Sequence, residues 1–452
     1  MERTISRLRQ QLSGGISQRG DSEYNAATAT WAKSIGPQPQ VIVHCRTSKD
    51  VQAVIRAARD ADFPLSVRGG GHDWAGRALC GGLVIDLRSM NGVIANSKLR
   101  TAQISGGACA SEVLAVSDLL GLAAVTGACG GVGMAGLTVG GGYGPLTGRF
   151  GLALDNLLAA EVVLADGRIV TARHDNEPDL FWALRGGGGN FGVITSMQHR
   201  LHDLANVRSG MLIFPFAEAE SVLEGYAEIT ASAPDELTVQ LAIAVGPDGV
   251  PVVIVAPTWS GTAAEGEAQI GSLLTIGNVL ANTVDVMSLA TCLKLFDPFI
   301  VGGQRVLIET CWLPALGSDS IDILIQAMAN AVSPGCAILT HEFKGAASRI
   351  APDATAFRLR HDHVLVEILA AFPDPSDPLE EQRHQQWAHA TLSRLIPMAL
   401  PGGYPNLLSR TDQERAAKSF GRNADRLMKA KRQYDPDNVF NSAIPLPSLP
   451  PA

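Results

Sequence analysis

The 452-residue chain sets 36 Lys+Arg against 44 Asp+Glu, a formal charge of −8, with 46% hydrophobic residues; at roughly 150 residues per domain this allows two or three units with full cores. A net-acidic chain whose longest basic cluster is Lys429-Ala430-Lys431-Arg432 lacks the positive field that phosphate backbones select for, so nucleic acid is not an expected partner. No apolar run approaches the ~18 residues needed to span a bilayer, and MERTISRLRQQLSGG lacks the apolar core of a signal peptide, so the expectation is a cytoplasmic protein with no membrane partner.

Residues 48–61 carry a Ser48/Asp50 start signal and apolar positions at helical spacing. The stretch 64–68 then reads as a strand running into a glycine loop, a β-α-β-like opening. Strands are predicted over 83–87 and 102–105, a helix over 111–120, and a hairpin joining 157–164 to 169–171 across Asp166-Gly167. One more strand covers 193–197. Residues 1–207 therefore read as α+β without a regular βαβ repeat.

From about residue 208 the texture changes to β-like runs at 211–216, 237–245, 252–256, 306–313 and 364–371, with helix-like segments around 263–274 and 320–332. Over 208–400 this predicts a mainly antiparallel sheet with helices on one face. A loop at 373–378 and a helix at 379–396 close that region. The segment 401–452 holds a helix, the turn Asp435-Pro436-Asp437-Asn438 and a Pro-rich tail.

The seven cysteines, Cys45, Cys80, Cys109, Cys129, Cys292, Cys311 and Cys336, include no C-x-x-C and fit neither a disulfide framework nor a zinc knuckle. The 47 glycines say more, because they cluster at 69–71, 127–144 and 186–192. Glycine lets backbone approach a ligand closely and adopt positive φ, so three such loops point to one large ligand wrapped by backbone.

Two stretches match G-x-G-x-x-G, 131–136 and 187–192, but a dinucleotide fingerprint must lie between a strand and a helix. Here LTVGGGYG after Gly136 is predicted not to be helical, and the second match runs into the strand GVITSM. His361-x-His363 would face one side of a strand, but no third ligand is nearby and no metal is expected. Arg68-Gly69-Gly70-Gly71-His72 is sharper: consecutive glycine amides form an anion-binding nest, and His72 at its end is held where an imidazole could meet a cofactor ring, although this segment taken alone reads first as a plain loop histidine.

Strand parity singles out one carboxylate. In His363-Val364-Leu365-Val366-Glu367-Ile368-Leu369-Ala370, side chains alternate, so Glu367 shares a face with His363, Leu365 and Leu369. A lone carboxylate amid an apolar strand is costly to bury without a role, which makes Glu367 the candidate general base. The alternative is a Glu paired with Arg or facing water, and Glu309 on 306–313 is the rival base.

With Gly127-Ala128-Cys129-Gly130-Gly131-Val132-Gly133, the string Asp179-Leu180-Phe181-Trp182-Ala183-Leu184-Arg185-Gly186-Gly187-Gly188-Gly189-Asn190-Phe191-Gly192-Val193, Tyr404-x-Asn406 and Tyr434-Asp435-Pro436-Asp437-Asn438-Val439-Phe440, the chain resembles the berberine bridge enzyme-like FAD-linked oxidases. The resemblance spans residues 24 to 446 and implies a vanillyl-alcohol oxidase type of fold. Two α+β subdomains (1–207) would bind FAD, a substrate domain (208–400) would cap the flavin, and 401–452 would complete the FAD domain. It implies that His72 joins the flavin 8α-methyl carbon. It also puts a second tether, to flavin C6, at Cys129, where the family usually has Pro next and this chain has Gly130; a buried free thiol stays open.

By the same resemblance Val132 is the gate that admits O₂, Tyr404 and Asn406 lie near the flavin, and Tyr404 is a catalytic helper to the base. Arg68, Gly69, Gly70, Gly71, Ala75, Gly133, Gly136, Gly140, Gly141, Asn190, Gly192 and Val193 would line the FAD. The implied reaction is a two-electron oxidation of a bulky small-molecule substrate, with hydride passing to flavin N5 and O₂ reduced to H₂O₂. The family's substrates range over alkaloids, oligosaccharides, nicotine derivatives and polyketides, and a secondary-metabolite substrate is the expectation here. Two other readings stay open, a dehydrogenase with a non-oxygen acceptor and a non-catalytic flavin-binding protein. The oligomeric state is left open as well.

Overall fold

A computed structural model describes residues 2–33, 36–246, 248–374 and 378–447. Three sheets follow one another along the chain. The first has four strands in the order Ile16–Gln18, Val41–His44, Leu83–Asp86, Leu65–Arg68. Its last three are parallel, and helix Ser48–Asp60 makes one crossover. That helix starts on a capping box in which Thr47 and Asp50 satisfy each other's backbone N–H, and it buries Val51, Val54 and Ile55. Each such side chain contributes about 1.5–3 kcal/mol of burial.

The second sheet is antiparallel and has six strands, ordered Val93–Asn96, Thr101–Ser105, Val193–Asp203, Leu157–Val163, Ile169–Arg173, with Leu122–Ala124 pairing the far end of Val193–Asp203. The predicted hairpin is present, turning at Gly167 with φ +82. Helices Gln413–Phe420 and Ala424–Tyr434 pack into this sheet's core through Phe420, Leu427 and Tyr434.

The third sheet has nine antiparallel strands, with Leu212–Pro215, Pro251–Trp259, Leu237–Val245, Cys336–Phe343, His363–Phe372 and Arg305–Leu313 as successive neighbours. Its two faces follow strand parity. Val239, Leu241, Ile243, Ile338, Val366 and Ile368 point into a core made with helices Ala219–Ala231, Ser318–Ala329 and Pro378–Leu395. Gln240, Ala242, Leu339, His341, Leu365, Glu367 and Leu369 point the other way, onto an open space.

The fold is α+β, as expected, with several differences in detail. Met134–Gly140 is a helix although 137–144 was predicted not to be, because burial of Met134, Thr138 and Val139 outweighs the low helix propensity of its glycines. The C-terminal region holds two helices rather than one, broken at Gly421 with φ +46. Strand Cys336–Phe343 and helix Ala219–Ala231 carried no expectation. Residues 375–377 of the predicted loop and 448–452 of the Pro-rich tail lie outside the described residues. Among the described residues no helix is long and apolar enough to cross a membrane.

Candidate active site

The glycine loops of the first two sheets and the open face of the third enclose a cavity of about 760 Å³, within the size range of ligand pockets. Strand Leu65–Arg68 delivers Gly69, Gly70, Gly71 and His72 to its wall, and the loop before helix Met134–Gly140 delivers Cys129, Val132 and Gly133. The two loops touch backbone to backbone. A Cβ on Gly70 would lie 2.6 Å from the Gly133 nitrogen and 2.7 Å from its Cα, which no side chain tolerates. Gly136, Gly192 and Val193 complete this wall.

The His72 imidazole lies flat on the indole of Trp31, with ring centroids 4.3 Å apart and planes within 4°. Burial pushes its pKa down to about 4, opposed by the charge of Glu367. Burial pushes the Cys129 thiol up to about 12, with Glu367 and Asp297 adding to the shift. His72 is therefore neutral and Cys129 protonated at neutral pH.

On the facing sheet Glu367 Oε1 lies 3.0 Å from His341 Nε2, both side chains only 15% exposed. The predicted parity places Glu367 on the cavity face, where its partner is a histidine rather than an arginine. Glu309 sits on the opposite face, beside Arg415 at 3.8 Å and His389 at 3.7 Å. The rival base is thus turned away from the cavity.

Two phenols meet at the floor. Tyr404 Oη accepts the Gly142 N–H at 2.8 Å and the Asn406 amide at 3.0 Å, so its own proton is free to be donated. Burial pushes its pKa up to about 12. Tyr143 packs edge-on against it, with centroids 4.9 Å apart. His363 Nδ1 lies 2.7 Å from the His361 carbonyl, which can only accept, so His363 Nε2 carries no proton and accepts from Tyr143 Oη at 2.7 Å. His363 is buried and His361 exposed, and among the described residues no group of three His, Cys, Asp or Glu could hold a metal ion.

Five expected wall residues stand one layer back. Arg68 donates to the carbonyls of Ala27 and Ala29 behind the loop. Ala75 is turned aside, its N–H held by Asp73 Oδ1 at 3.1 Å. Gly140 and Gly141 give room to Asn406 and Tyr404; a Cβ on Gly141 would lie 2.7 Å from the Tyr404 ring. Asn190 ties Gly187 O (2.9 Å) to Ile444 O (3.0 Å), and its carbonyl accepts from buried Lys431 at 2.8 Å.

Residues 39–173 match the model of an FAD binding domain, and residues 403–447 match the berberine and berberine-like model. The FAD-linked oxidoreductase OXR1 of Pyricularia oryzae is 30% identical over 96% of this chain and 89% of its own length. The chain belongs to the berberine bridge enzyme-like FAD-linked oxidoreductases. The FAD-linked oxidoreductase YgaK of Bacillus subtilis is 29% identical over 97% of this chain and 98% of its own. The crystal structure of 6-hydroxy-D-nicotine oxidase from Arthrobacter nicotinovorans superposes with a TM-score of 0.87 at 27% identity, covering 95% of this chain and 96% of that one.

The cavity of this oxidoreductase suits FAD on its own evidence. Trp31 Nε1, Trp74 Nε1 and Arg77 Nε are buried wall donors without partners, which call for an acceptor-rich ligand. A Cβ on Gly136 would enter open space, leaving that stretch of wall free for a ring system. Arg77 is the one cationic side chain on the wall among the described residues, and its two Nη groups are spent on the carbonyls of Pro405, Asn406 and Leu408, leaving only Nε for a ligand. Phosphates here would therefore meet amides. Sequence reasoning did not find Trp31, Tyr143 or His341. Only Tyr143 left a signal, its place inside the glycine cluster 127–144.

Proposed function

We propose that the protein is an FAD-dependent oxidase that takes two electrons from a bulky, largely apolar small molecule, in secondary metabolism. In this reading 1–207 and 401–452 hold FAD, with His72 tethered to the 8α-methyl carbon and Cys129 to C6, and 208–400 holds the substrate. When bound, FAD supplies the hydride acceptor at N5 and passes the electrons to O₂ as H₂O₂.

The observation that carries the reading is the single carboxylate on the apolar sheet face opposite the glycine loops. Glu367 is flanked there by Leu339, Leu365 and Leu369, and His341 is its polar partner. The two phenols on the floor cannot replace it as base. Tyr143 has given its proton to a bond with His363, and the Tyr404 oxygen is saturated by two donors. Glu367 thus accepts the substrate proton, His341 orients the carboxylate, and Tyr404 donates toward the developing negative charge. The apolar sheet excludes water. Val132, on the wall beside Cys129, sets the clearance through which O₂ arrives.

The test is Glu367→Gln, which preserves shape and removes the base. On a panel of apolar hydroxylated and amine substrates, the wild type should bleach its flavin anaerobically and release H₂O₂ in air. The variant should keep its flavin content and lose roughly two to four orders of magnitude in reduction rate. Near-normal reduction by Glu367→Gln would overturn the assignment.

A further inference from the structure

We propose that Trp31 is the positioning residue for covalent attachment of flavin to His72: its indole covers one face of the imidazole and fixes the plane in which the ring nitrogens point. The inference rests on reading His72 as the tether.

His72 ends a run of three glycines, and among the described residues no hydrogen bond holds either of its ring nitrogens. The stack on Trp31 is what orients it. Trp31 in turn is held from two sides. Its backbone N–H donates to the Gly71 carbonyl at 2.9 Å, in the loop that carries His72, and its backbone carbonyl accepts from Gly303 N–H at 2.8 Å. Lys33 N–H adds a bond to the Gln304 carbonyl at 2.6 Å. The indole packs with Val306 and Ile308 of the third sheet. Upstream, buried Arg68 grips the carbonyls of Ala27 and Ala29. The segment thus ties the orientation of His72 to the docking of the third sheet. Trp31 and Gly303 both lie outside the two segments that match family models.

Orientation matters because bond formation needs the reacting atoms about 3–3.5 Å apart and aligned, and a misplacement of about 1 Å costs on the order of a hundredfold. In the attachment step the 8α-methyl group loses one proton and the imidazole loses its N–H. A C–N bond forms between them, and the two electrons left on the ring system pass with two protons to O₂, giving H₂O₂. Burial keeps the imidazole neutral for this step, its pKa pushed down to about 4.

The test uses a Cys129→Ala background, so that acid-stable flavin reports His72 alone. Protein from riboflavin-starved cells is mixed with FAD; total bound flavin is read in the native state, and attached flavin in the acid-precipitated pellet and by the mass of the His72 peptide. At saturating FAD, Trp31→Leu should attach the bound cofactor about a hundredfold more slowly, while Trp31→Phe, which loses the indole N–H but keeps a stacking face, should stay within a few-fold of the parent. If Trp31→Leu does not fold, Trp31→Met, unbranched and better able to fill an irregular gap, takes its place. Attachment by the Leu or Met variant at the parental rate would overturn the proposal. So would equal attachment rates in the Leu and Phe variants at saturating FAD, which would mean that the stacking face plays no part. A parent with FAD bound but no acid-stable flavin would overturn the tether reading itself.

Discussion

A buried ion pair behind the active site, Arg360 with Asp155, sets up a quantitative test of how the second sheet is locked to the third. Arg360 is 2% exposed. It grips Asp155 through two bonds of 2.9 Å, and also donates to Thr355 Oγ1 at 2.9 Å and to the carbonyls of Phe357 and Ala347 at 3.3 Å. Asp155 belongs to the turn after the Gly142–Gly151 stretch, and Arg360 lies three residues before His363, the partner of Tyr143. Arg360→Met leaves a buried carboxylate with only the Leu152 N–H, 2.9 Å away, and should cost about 3–5 kcal/mol. Asp155→Asn keeps an oxygen for that N–H but strips the guanidinium of its counter-charge, so its cost falls near the lower end of the same range, about 3 kcal/mol.

In the double variant both charges are gone, and a buried pair replaced by uncharged groups is close to neutral relative to either broken pair. The double variant should therefore be no less stable than Arg360→Met alone, a coupling of about 3 kcal/mol. Urea unfolding followed by tryptophan fluorescence, with a common slope for the four proteins, measures it. Costs that add to within about 0.5 kcal/mol would refute the claim that Arg360 is present to compensate Asp155.

Gly133→Ala should empty the cofactor site, because its Cβ would be driven into the Gly70 backbone and neither loop has a side chain that can give way. The flavin-to-protein ratio should collapse, whereas Gly131→Ala, with nothing within 4 Å of its Cβ, should retain flavin; equal retention by both would sink the idea. On the proposed tether, the rate of flavin attachment at His72 should stay flat from about pH 7 down to about pH 5. An ordinary histidine starts to lose its free lone pair as pH falls through 6.5, but burial holds this one neutral until pH nears 4, with Glu367 the charge that opposes the shift. A rate that halves near pH 6.5 would show the imidazole to be solvated.

What could be read from the sequence divides by the kind of physics involved. Glycine loops announce themselves because only glycine permits the contact between residues 70 and 133, and strand parity placed Glu367 because side chains alternate whatever the tertiary context. Local propensity misled where packing outweighed it, at the glycine-containing helix Met134–Gly140. The partners escaped for a different reason. The pairs 31 and 72, 143 and 363, and 341 and 367 are joined only when separate elements dock, and no local pattern encodes them. Arg68, Ala75, Gly140, Gly141 and Asn190 show the same limit from the other side: each sits in a loop that reaches the cavity, yet its own atoms are committed to holding that loop. A motif therefore specifies a backbone path more reliably than it specifies which side chain on that path meets the ligand. At this site the Tyr404 proton, the His72 nitrogens and the second oxygen of Glu367 are left over from such holding contacts, which is why the proposed chemistry is assigned to them.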